Sequence, residues 1–180
     1  MRTVDKRIAI DRRNFLGGTA GAALLAGIPG EMNGSRALAA AMTTINTPEA
    51  AATLVKMARD IFPHDRVPDA YYETAIATID GSLGPDAASR SLLPDGVAAL
   101  DAAAKARFNA AYVAVPQEAD RVALLREIEG TQFFAKVRGG LVTALYNQPD
   151  IWKLLGYEGS SAEHGGYIHR GFDDIDWLPA

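Results

Sequence analysis

The stretch TPEAAATLVKMARDIF, residues 47–62, decides the fold. Ala51, Leu54, Val55, Ala58, Ile61 and Phe62 recur at steps of three and four, which gathers them on one face of an α-helix and scatters them over both faces of a strand. Thr47 is placed to cap the first turn, and Pro48 fits the first helical position, where its missing N–H costs nothing. Pro63 stops the helix, and PHDRVPD follows as a polar turn.

The same period continues outward. A second helix is predicted over 69–83, burying Tyr72, Ala75, Ile76 and Ile79 and closed by Gly84-Pro85. A third over 94–108 carries Val97, Leu100, Ala104 and Phe108 on one stripe. The fourth, over 116–129, carries Val122, Leu125 and Ile128, with Gly130 as its stop. A fifth spans 131–146 with Phe134, Val137, Leu141 and Leu145 inward. Gly139-Gly140 falls inside it, which implies either a kink or the close approach of another helix or chain. A short helix over 149–155 has Ile151, Trp152 and Leu155 as apolar anchors. No run of period-two alternation occurs, so the expectation is an all-α domain of five or six short helices. The connection over 82–93 reads as the most mobile loop.

Ahead of this domain stands DRRNFLGG, residues 11–18. Arg12 and Arg13 precede Phe15 and Leu16, a basic leader runs into a mild apolar stretch over 15–28, and Ala37, Ala39, Ala40 and Ala41 supply an A-x-A-like cleavage site. The reading is a twin-arginine export signal, cut within one or two positions of Ala40. An amphipathic helix explains neither the paired arginines nor the alanine cluster, and the apolar stretch is too weak to span a membrane. The chain therefore divides into residues 1–40 as signal, 41–156 as helical domain and 157–180 as an extended C-terminal segment. The twin-arginine route delivers folded cargo, often with a cofactor aboard, which places the product in the periplasm. Residues 41–180 hold 12 Lys and Arg against 19 Asp and Glu, a formal charge of −7. That sign argues against nucleic acid and anionic lipid as partners. The chain has no cysteine, hence no disulfide, no lipid anchor and no C-x-x-C-H for covalent haem.

The C-terminal segment, GYEGSSAEHGGYIHRGFDDIDWLPA, differs from the rest. Its five glycines over 156–171 disfavour a helix, while Tyr157, Tyr167, Phe172 and Trp177 bring more aromatic surface than a solvated tail should expose. Trp152, Tyr157, His164, Tyr167, His169, Arg170, Phe172, Asp174 and Trp177 are the candidate partner-binding residues, being of the types that carry interface energy or the charges beside them. The segment either folds back over its own helices, crosses a partner subunit, or encloses a ligand or metal. His164 and His169 with Asp173, Asp174 and Asp176 are metal-ligand types, and His64 stands in another loop. Their spacing matches no recognised metal motif, so no metal is assigned. His169-Arg170 beside the aspartates is more simply an ion-pair cluster. Ser160-Ser161 lacks the G-x-S-x-G elbow of a hydrolase.

DRRNFLGG, DIFPHDRVPDAYY, YNQPDIWKLLGYEGSS and GGYIHRGFDDIDWLP together resemble the small subunit of gluconate 2-dehydrogenase-type complexes, the subunit 3 family. The resemblance extends over nearly the whole chain and is sharpest at the C-terminal end. It implies an all-helical, non-catalytic subunit paired with a large FAD-containing oxidoreductase of the glucose-methanol-choline type, with a multihaem c-type cytochrome as a third subunit in some complexes. It also implies that this chain carries the signal for both and engages the twin-arginine translocase, while flavin and substrate chemistry belong to the partner. The alternative is a free-standing periplasmic metal-binding protein or enzyme using His64, His164 and His169.

Overall fold

The computed structural model describes residues 31–168. Among them are seven α-helices and no strand: α1 Glu31–Ala41, α2 Pro48–Ile61, α3 Asp69–Gly81, α4 Ala87–Phe108, α5 Glu118–Ile128, α6 Gln132–Ala144 and α7 Pro149–Leu155. Short 3-10 turns stand at Tyr112–Ala114 and Ser161–His164. The all-α expectation holds.

Helix α2 is the hub, in contact with α1, α3, α4, α5 and α6. Its sequence accounts for this. Ala51, Leu54, Met57 and Ala58 are fully buried, and the alanines let neighbouring helices come close around the larger Leu54 and Met57. Thr47 caps its start by accepting a hydrogen bond from the Ala50 N–H, with Pro48 in the first turn. At its far end Tyr72 donates to the Phe62 carbonyl at 2.6 Å, and Arg59 lies over the Tyr72 ring while donating to the Val67 carbonyl at 2.7 Å. These contacts shape the PHDRVPD turn and aim α3 back along α2.

Four sequence expectations need correction. Helix α4 begins at Ala87 rather than Pro94, because Asp86 caps it, accepting from the Ser89 N–H at 2.9 Å and hydroxyl at 2.7 Å. Pro94 lies inside it, and the connection shrinks to residues 82–86. In α6 the buried aromatic is Phe133, with Phe134 only half-buried. Leu155 is no anchor, being 45% exposed. Helix α1 has no counterpart in the five or six helices foreseen, since it occupies the segment read as the end of the signal.

The glycine pair of α6 divides in function. A side chain at Gly140 would meet Ile79 of α3 at 2.6 Å, whereas Gly139 faces open space. Gly140 is thus a close-approach glycine for the α3–α6 contact.

Two charged groups are built into the core. Asp60 of α2 receives Arg121 of α5 in a two-pronged pair, Nε to Oδ2 at 2.7 Å and Nη2 to Oδ1 at 3.0 Å, and also accepts from the Tyr112 hydroxyl at 2.8 Å. Arg121 donates onward to the Val115 carbonyl at 2.8 Å. Its bond to Asp60 raises the guanidinium pKa, and burial followed by the Asp60 charge pushes the Tyr112 hydroxyl well above its ordinary 10.0. A buried pair of this kind stabilises little over apolar packing but is costly to break from one side. Asp80 of α3, 2% exposed, is the second group. Its carboxylate accepts from the backbone N–H and the hydroxyl of both Thr43 and Thr44.

Candidate partner-binding surface

The C-terminal end of the described chain is organised around Trp152. Helix α6 runs out at Ala144, and Gln148 turns the chain by donating from Nε2 to the Tyr71 carbonyl at 2.9 Å and the Ala144 carbonyl at 3.0 Å. Pro149 then opens α7, whose Ile151 is fully buried. Trp152 is half-buried and donates from Nε1 to the Tyr146 carbonyl at 2.5 Å.

Helix α7 ends in a Schellman motif. Gly156 takes a left-handed φ of 76°, the Tyr157 N–H reaches back to the Trp152 carbonyl at 2.7 Å, and the Gly156 N–H to that of Lys153 at 3.4 Å. The motif ordinarily brings the residue after the glycine against the one five positions earlier. Here those two are Tyr157 and Trp152, whose rings meet edge to face at 5.6 Å between centroids. Gly159, buried and at φ 102°, lies against the other part of the indole, where an added side chain would stand 3.6 Å from the ring.

Tyr146 joins this corner to the α2–α3 turn. Its ring packs edge to face on Phe62 at 5.7 Å and His64 at 5.6 Å, and its hydroxyl is 2.6 Å from His64 Nε2. Burial raises the Tyr146 pKa, and the hydroxyl and the imidazole share one hydrogen bond. His64 is therefore held by Tyr146. Among the described residues no three histidine, cysteine or carboxylate side chains converge on one point. His169 and the side chain of His164 lie outside the described residues.

Outside this frame the chain leaves large apolar groups in water. Leu154 is 37% exposed, Leu155 45%, Tyr157 49%, Tyr167 59% and Ile168 77%. These five fall within one stretch of sequence, 154–168, while Val113 and Val142, also exposed, lie outside it. The chain between them is not wholly extended as foreseen, for residues 161–164 form a 3-10 turn closed by the Gly166 N–H on the Ser161 carbonyl at 2.8 Å. Of the candidate partner-binding residues, Trp152 is half-buried against Tyr157, and Tyr157 and Tyr167 are exposed. His169, Arg170, Phe172, Asp174 and Trp177 lie outside the described residues, as do Arg12, Arg13, Phe15 and Leu16 of the export motif. Leu155, read as a core anchor of the last helix, and Leu154, not singled out at all, belong to this exposed surface instead. The legible signal was Gly156 followed by Tyr157, which turns the chain before both leucines can be covered.

A cleft of about 390 Å³ lies elsewhere, between α1, α2 and α3, and is lined by Gly34, Lys56, Arg59, Asp69 and Glu73 among others. Its cations are already paired, Lys56 with Asp60 at 3.5 Å and Arg59 with Asp69. No helix of the described residues is long and apolar enough to cross a membrane. Comparison of the chain with protein-family models, curated proteins and solved structures finds no match.

Proposed function

We propose that this chain is the non-catalytic small subunit of a periplasmic flavin-dependent dehydrogenase complex acting on a sugar, polyol or sugar acid, and serves as export escort, maturation factor and stabiliser of the large FAD-containing subunit. The observation that supports this most is the stretch 154–168, where Leu154, Leu155 and Tyr157 stand exposed at the corner built by Trp152 and Gly156 and Tyr167 and Ile168 stand exposed beyond it. Large exposed apolar groups are what a protein partner covers. The twin-arginine motif supplies the second support, because a folded flavoprotein needs a folded-cargo route. The FAD chemistry of the partner, and a c-type haem subunit where one is present, rest on the subunit 3 resemblance.

Removing residues 157–180 tests the reading. The truncated chain keeps its helical circular dichroism and no longer retains the flavoprotein on co-purification. Full export and activity of the flavoprotein in a strain lacking this chain would overturn the proposal. A stoichiometric metal in the isolated chain, lost in His64→Ala, would favour the free-standing metal-binding reading instead.

A further inference from the structure

Helix α1 carries the alanine cluster that reads as the signal-cleavage site, yet it is built into the domain. Leu38, Ala39, Met42 and Ile45 are 5%, 7%, 9% and 2% exposed and belong to the same core as α2 and α3. Of these, Leu38 and Ala39 precede the expected cut and are core residues rather than part of a detachable leader. Just downstream, Thr43 and Thr44 place four donors on the buried carboxylate of Asp80 and so anchor the chain that leaves α1 to α3.

The backbone leads to the same conclusion. A peptidase takes its substrate as an extended strand, reading main-chain groups and alternate side chains. Across the alanine cluster the chain is helical, and the Leu38 carbonyl is engaged by the Met42 N–H at 3.0 Å. Ala39 faces the core while Ala37, Ala40 and Ala41 face water. Cutting near Ala40 thus requires α1 to undock and unwind, and it strips Leu38 and Ala39 from the core.

We infer that residues 34–46 are a permanent part of the folded domain, so that the exported chain keeps α1 and its amino terminus lies upstream of Gly34. This rests on the export reading above. It moves the processing site from Ala40 into the stretch before α1, or leaves the leader uncut.

The test is to express the full chain in a bacterium with the twin-arginine machinery, recover the periplasmic form and determine its amino terminus by intact mass and N-terminal sequencing. A terminus upstream of Gly34 is expected. A terminus anywhere over 35–46 on a folded, exported chain would overturn the inference and leave the export reading standing. Full-length chain confined to the cytoplasm would overturn the export reading and this inference with it. A second measurement separates α1's structural role from export altogether. Leu38→Ala in the full chain should lower the thermal midpoint by several degrees, as loss of a buried side chain does in a domain of this size, and an unchanged midpoint would refute the docking of α1.

Discussion

Asp80 stands 2% exposed with its charge surrounded by four donors from two consecutive threonines. Hydrogen bonds to a charged acceptor contribute more than neutral ones, while the freed donors of Thr43, exposed, and Thr44, half-buried, can turn to water. Asp80→Ala should therefore destabilise the chain by roughly 1.5–3 kcal/mol in urea unfolding, and Asp80→Asn should also destabilise it, because its NH2 group would face two donors where a carboxylate oxygen accepts both. Tyr112 offers a pH-dependent counterpart. Its hydroxyl pKa is raised by burial, by the Asp60 charge and by the bond it donates to Asp60. The folded state thus holds the proton more tightly than the unfolded chain, so this contribution is fully present below about pH 10 and is lost as the pH climbs beyond it. Tyr112→Phe should cost about 1 kcal/mol at pH 7 and show a shallower alkaline fall, so that the two stability curves converge above pH 10. Parallel curves would contradict the assignment. Neither group announces itself in the sequence. Arg121 sits at a helical position between Asp120 and Val122 that reads as solvent-facing, and only the docking of α2 on α5 encloses it with Asp60.

Helix periodicity carried most of the architecture. Tyr72, Ala75, Ile76 and Ile79 of α3 are all buried as their spacing predicts, and so are Val97, Leu100 and Ala104 of α4. What failed were boundaries set by punctuation. The third helix, expected from Pro94, starts seven residues earlier at Ala87, because the Asp86–Ser89 cap begins it there and Pro94 is accommodated inside it. Helix α1 was hidden by its alanines, which suit a cleavage site and a close-packed helix equally. Close approach also governs Gly96 of α4, over which the Phe133 ring of α6 lies so near that an added methyl would overlap it. Alanine gains about 1 kcal/mol over glycine in helix propensity, while forcing a packed ring aside costs typically 1–3 kcal/mol. Gly96→Ala should therefore be neutral to destabilising by up to about 2 kcal/mol, and Gly139→Ala, which meets open space, should be stabilising. Thermal melts of the pair check this, and the reverse order would contradict the α4–α6 contact. At the C-terminal corner the aromatics were legible as a group. Their arrangement was not, since it depends on which glycine takes the left-handed turn.

As a whole, the molecule is a helical domain centred on α2, with a fitted N-terminal helix on one flank and uncovered leucine and tyrosine at its C-terminal end. Among the described residues every buried side-chain nitrogen and oxygen has a partner. The surface over 154–168 is where a second protein is proposed to sit. The most direct measurement is to isolate the native chain from the periplasm, identify what remains bound, and record the visible spectrum. The account predicts a large partner with oxidised-flavin absorbance near about 450 nm, released when residues 157–180 are absent. A lone, colourless protein that retains no partner would contradict it.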